Sequence, residues 1–116
     1  MGNDKMNRKE KWQNEDSDKL FKAVLVLKNV SEAEAFFRDL LTEKEILEFS
    51  QRWKVARMLS ENVPYSEIGH RTWMTPRTIA RIQKWLKKGK GGYRLMIHRL
   101  EQGGSKKSVA GRKKGK

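Results

Sequence analysis

From about residue 17 to residue 100 the apolar positions recur at spacings of three and four, and period-two alternation is rare. That pattern predicts helices and an all-α fold of about six of them. Leu20, Phe21, Val24 and Leu27 make one face of a first helix, with Ser17 and Asp18 as its expected caps. Ser31 with Glu34 forms a capping-box pair ahead of a second helix carrying Ala35, Phe36, Phe37 and Leu40. Thr42 with Glu45 forms another, opening a long third helix toward Ser60 with Ile46, Phe49, Trp53 and Ala56 as its inward stripe. Pro64 disfavours helix in the residue before it, so Asn62-Val63-Pro64 ends that helix. A short helix is expected over Tyr65–Arg71 and a turn over Thr72–Met74. Thr75 can then cap a helix whose first position is Pro76, where the missing N–H costs nothing. That helix ends near Lys88, Gly89, Gly91 and Gly92 permit a reversal, and Tyr93–Leu100 has the periodicity of a last helix.

Three compositional segments overlie this pattern. Residues 1–16 are polar and of mixed charge with one aromatic, Trp12, and are expected to be a disordered tail that leaves the indole in solvent. Residues 17–100 form the folded domain. Residues 101–116 hold Lys106, Lys107, Arg112, Lys113, Lys114 and Lys116 and are expected to be a disordered basic tail. The 116-residue chain carries a net charge of +13; setting the tail's six cations aside still leaves +7, so the body is basic in its own right. An apolar share of 36% suits a small core, of the kind that a chain often completes by dimerising. The absence of cysteine removes disulfides and thiolate chemistry. The longest apolar run, Ala23–Leu27, is too short for a membrane span, and a soluble cytoplasmic, nucleoid-associated protein is the expectation.

Charge and pattern meet between Ile68 and Leu100. That stretch has no Asp or Glu, while Arg71, Arg77, Arg81, Lys84, Lys87, Lys88, Lys90, Arg94 and Arg99 supply positive charge. At 100° per residue Arg77, Arg81, Lys84 and Lys88 fall in one stripe of the helix after Pro76, and Ile79, Ile82 and Leu86 fall opposite. A merely solvated face would mix Glu among the lysines; a stripe of one sign points to a polyanion. The preceding helix supplies Ile68 as an anchor and Gly69 as the small residue where two helices cross. Met74 serves as the turn's buried residue, which completes a helix-turn-helix pattern. Trp73 argues against it, since glycine is commonest there and a bulky residue at positive φ is strained; either the turn takes another shape or packing holds the indole.

Two further stretches carry a resemblance. Leu41–Glu45 continued by Gln51–Leu59, together with Tyr65–Ile68 and Thr78–Ile82, resembles the long central helix and the DNA reader of Trp-repressor-like proteins. Leu20–Leu25 and Phe36–Leu40 are similar to the opening helices of the YerC/YecD-type bacterial regulators within that family. The resemblance covers roughly residues 18–100 and implies an intertwined homodimer that binds operator DNA. It also implies an effector pocket built on Thr42, Arg52 and Arg81. Where the Trp repressor's pocket has a glycine and a small polar residue this chain has Ile82 and Trp85, whose bulk would fill a slot for an indole. Tryptophan is therefore not the expected corepressor; Thr42 is better explained as a helix cap, and Arg52 as an ion-pair partner of Glu48 or of a dimer mate.

The expected function is that of a sequence-specific transcription regulator, repressor-like, on double-stranded DNA. Arg77, Thr78 and Arg81 are the expected base contacts, because the N-terminal part of a reading helix enters the major groove. Tyr65, Arg71, Thr75, Lys84 and Lys88 are the expected phosphate contacts. Each has a blander reading as a solvated or packing residue. The rival is a basic RNA-binding or nucleoid-associated protein that does not read sequence, with Trp73 and Trp85 stacking on single-stranded bases. His70 and His98 lie apart and no acidic cluster accompanies them, so neither catalysis, a metal nor a cofactor is expected.

Overall fold

A computed structural model of the chain describes residues 10–111, with side chains placed through Gly103. It has six helices and, among the described residues, no strand: α1 (Glu15–Leu25), α2 (Val30–Leu40), α3 (Glu43–Ser60), α4 (Tyr65–Arg71), α5 (Pro76–Lys88) and α6 (Gly92–Gly111). The chain divides between Ile46 and Leu47 into two compact units.

In the first unit, both expected caps shift toward the N-terminus. Asn14, not Ser17 or Asp18, caps α1. Its side chain accepts the Ser17 N–H at 2.9 Å while the Ser17 hydroxyl accepts the Asn14 N–H at 3.0 Å, a reciprocal capping box. Asn29, not Ser31, caps α2 by accepting the Glu32 N–H, and the Glu32 carboxylate accepts the Lys28 N–H. Asparagine and serine cap about equally well, so the earlier site wins by adding helical hydrogen bonds. Trp12 is exposed, as expected, but not free: its Nε1–H donates to Glu10 and its ring meets Phe21 edge-on at 6.3 Å. Neither α1 nor α2 buries a residue, and the half-buried Phe36 and Phe37 rings meet edge-on at 5.4 Å. Thr42 and Glu45 do form the expected capping box at the start of α3.

The second unit holds the core. Val55, Ala56, Met58 and Leu59 of α3 meet Ile68 of α4 and Ile79, Ile82 and Leu86 of α5; Trp53, Val63, Met74, Tyr93 and Ile97 pack around them. The inward stripe of α3 is therefore displaced toward its C-terminus, since only Ala56 of the expected four is buried and Phe49 is exposed. Its end is a Schellman motif. Asn62 adopts φ 65°, its N–H donates to the Leu59 carbonyl, and the Val63 N–H donates to the Met58 carbonyl. Asparagine tolerates this left-handed conformation better than most residues, and Pro64 merely prevents the helix from resuming. The α5–α6 break rests on Gly91, whose φ of 88° suits glycine. The last helix, expected over Tyr93–Leu100, continues to Gly111, so its backbone enters the stretch expected as tail. The side chains of Lys106 and Lys107, and residues 1–9 and 112–116 altogether, lie outside the described residues.

Candidate nucleic-acid interface

The site begins with a short helix that cannot stand alone. α4 has only seven residues and no side-chain cap, so Ile68, fully buried against α3 and α5, is what fixes it. Gly69 does not fill the role expected of it: it is exposed, and a Cβ built there would meet nothing within 4 Å. Ile68 is the buried residue that α4 brings to the crossing. At the far end of α4 the half-buried Lys54 ammonium reaches the Arg71 carbonyl at 3.5 Å, placing a cation at a helix C-terminus.

Thr72 then turns the chain. Its hydroxyl donates to the Ile68 carbonyl at 2.9 Å and accepts the Met74 N–H at 3.2 Å, with its backbone extended at φ −137°. Met74 packs against the core and Trp73 points away from it, 67% exposed. The positive-φ strain anticipated for Trp73 does not arise, because Asn62 is the sole non-glycine at positive φ among the described residues. The turn takes another shape, with a threonine side chain doing what glycine's freedom does elsewhere.

Thr75 caps α5 as expected. Its hydroxyl accepts the Thr78 N–H and donates to the Thr78 hydroxyl, both at 3.2 Å, and Pro76 occupies the first turn. The helix sorts its faces as the wheel predicts: Ile79, Ile82 and Leu86 are buried, while Arg77, Arg81, Lys84 and Lys88 are exposed. Among the described residues none of these four cations makes a salt bridge, so their charge is uncompensated. Arg71 differs, since Glu67 holds its guanidinium at 3.0 Å. Tyr65 is exposed at the start of α4, and Thr78 is half-buried beside its capping partner. Both histidines are exposed, and no group of three His, Cys, Asp or Glu able to hold a metal occurs among the described residues.

Thr42, Arg52 and Arg81 are the residues expected around an effector. The Thr42 hydroxyl is engaged as a cap in the first unit. Arg52 and Arg81 belong to the second. Among the described residues Arg52 makes no salt bridge with Glu48; its guanidinium lies 5.5 Å from the centre of the Phe49 ring, a cation–π contact. Arg52 also acts on Tyr93, which stacks on Trp53 at 6.3 Å. Partial burial raises the Tyr93 pKa above its ordinary 10.0, and the charge of Arg52 offsets part of that rise. Nothing in the sequence pattern pointed to Lys54 or to this Trp53–Tyr93 stack, because both join residues distant along the chain.

Known proteins share this arrangement. The family model for the Trp repressor protein matches residues 15–101. Bacillus subtilis (strain 168) has an uncharacterized protein, YerC, that is 36% identical over 93 residues, covering 80% of this chain and 89% of that one. Two solved structures are similar. A TrpR-like protein from Eubacterium eligens ATCC 27750 has 40% identity and a TM-score of 0.74 over 78% of this chain and 93% of its own. A candidate Trp repressor from Staphylococcus aureus has 32% identity and a TM-score of 0.73, over 79% and 95%. Helices, turn and sequence agree in one assignment, and the chain belongs to the Trp repressor family.

Proposed function

We propose that this chain is a transcription regulator that reads double-stranded DNA by sequence, with α5 in the major groove. One observation carries the reading: α5 locks inward through three buried aliphatic residues and presents outward four cations with no ion-pair partner among the described residues. Arg77, Thr78 and Arg81 are then the base-edge residues, arginine favouring guanine through paired donors. Tyr65, Arg71, Lys84 and Lys88 take phosphates. Thr75 contributes to that set mainly by fixing the helix start, because its hydroxyl is already engaged twice.

The active species in this reading is a homodimer. Leu25 and Val30 are 81% and 73% exposed, and a second copy is the natural cover for such a surface on helices that bury nothing themselves. Tryptophan is not the corepressor: Ile82 and Trp85 put bulk beside Arg81 where the family's pocket has small residues. Addition of tryptophan should leave the melting temperature unchanged, and a response at micromolar concentration would refute this part.

Selection of bound duplexes from a random library tests the whole. An enriched palindrome, with half-sites about one helical turn apart, is the expected result. Arg77→Ala and Arg81→Ala should each reduce discrimination by about 1–3 kcal/mol. Equal affinity for every duplex, or preference for RNA, would favour the charge-only alternative, a basic RNA-binding or nucleoid-associated protein.

A further inference from the structure

We infer that Trp73 is a DNA-positioning residue: its indole packs on the sugar–phosphate strand bordering the groove that α5 enters, with Nε1–H donating to a phosphate oxygen. This rests on the duplex-binding reading above. The tryptophans of the chain differ in what they touch. Trp12 has Phe21 and Glu10, and Trp53 has Tyr93. Among the described residues neither Trp73 nor Trp85 joins a ring pair or donates a side-chain hydrogen bond, and Trp73 is the more exposed, at 67% against 42%.

Its exposure is imposed rather than accidental. Thr72 is pinned by two hydrogen bonds and Met74 is drawn into the core, so the residue between them projects outward from a fixed turn. A turn backbone held this way adds little ordering cost on binding, leaving only the rotamer of the indole to be fixed. Its surroundings contain no acid on the C-terminal side, and Arg77 and Arg81, which make no salt bridge among the described residues, draw a polyanion toward the same turn.

Reach decides the target. Trp73 precedes Arg77 by four residues, so their Cα atoms are at most about 15 Å apart at about 3.8 Å per step. The major groove is about 12 Å wide, so with Arg77 at a base edge the bordering strand lies within range of the indole. An indole offers a flat apolar face for deoxyribose and a single donor for phosphate, and it carries no charge.

That neutrality gives the experiment its signature. Binding of a labelled random-sequence duplex pool would be titrated across salt concentrations for the full chain, W73A, W73F and K84A. W73A should bind about fivefold to tenfold more weakly, the scale of one lost contact, with the slope of log affinity on log salt unchanged. W73F should fall between, and K84A should lower the slope by about 0.9. The emission difference between the full chain and W73F should be quenched on adding duplex, while the melting temperatures of the two agree. W73A affinity within twofold of the full chain, or an unquenched difference, overturns the inference and leaves the duplex reading standing. A full chain that ignores duplex overturns both. Tighter binding of single strands, with a larger W73A loss there, overturns it in favour of base stacking.

Discussion

The two units of this chain use similar helices to different ends. α1 and α2 are amphipathic and well capped, yet neither contains a buried residue. α3, α4 and α5 close eight apolar residues into a core. The difference lies in what each apolar face has to meet. Leu25 and Val30 stand exposed, whereas Ile68, Ile79 and Ile82 are sealed between three helices. Amphipathicity records that a face wants burial; it does not say that the same chain supplies the cover. The helix-turn-helix half closes its core within one chain, and the other half leaves apolar side chains exposed.

Substitutions on either side of that contrast should separate sharply. Ile82→Ala removes a fully buried side chain from a small core and should destabilise the fold by about 2–5 kcal/mol, seen as a fall in the denaturant midpoint. A loss below about 1 kcal/mol would mean that the core is not where the stability lies. Leu25→Asp paired with Val30→Asp should act through assembly, shifting the mass at micromolar concentration from two chains to one while the helix signal by circular dichroism persists. A full chain that sediments as a monomer would break the comparison outright.

Smaller effects sharpen it. Gly69→Ala fills open space on α4 and should stabilise by about 0.5–1 kcal/mol, since glycine is the costlier helical residue there. Smallest is the alkaline limb. With the Tyr93 pKa raised in the fold, the neutral phenol is favoured, so its contribution is intact below the ordinary value of 10.0. It is lost as pH rises beyond that value through the higher folded one. Tyr93→Phe should flatten this part of the melting temperature's dependence on pH.

Much of this was legible in the residues. Thr75-Pro76 states a helix start, and the opposition of Ile79, Ile82 and Leu86 to Arg77, Arg81, Lys84 and Lys88 survives unchanged in three dimensions. Local signals failed where several answers competed: Asn14 and Asn29 offered caps as good as the serines and reached them first. They failed also where the outcome depended on distant partners. Only the packing of α4 and α5 shows that α3 buries Val55 and Met58 rather than Phe49, and that Gly69 faces open space. The turn at Trp73 broke a familiar preference because the Thr72 side chain supplied another way round.

One property of α5 extends beyond binding. The residues that fix its place, Thr75, Pro76, Ile79, Ile82 and Leu86, and those it displays, Arg77, Arg81, Lys84 and Lys88, have no member in common. Substitutions in the displayed set can therefore change the surface that α5 presents while the scaffold's stability stays nearly constant. If the proposed reading holds, a designer who rewrites Arg77 and Arg81 inherits a backbone that does not have to be solved again.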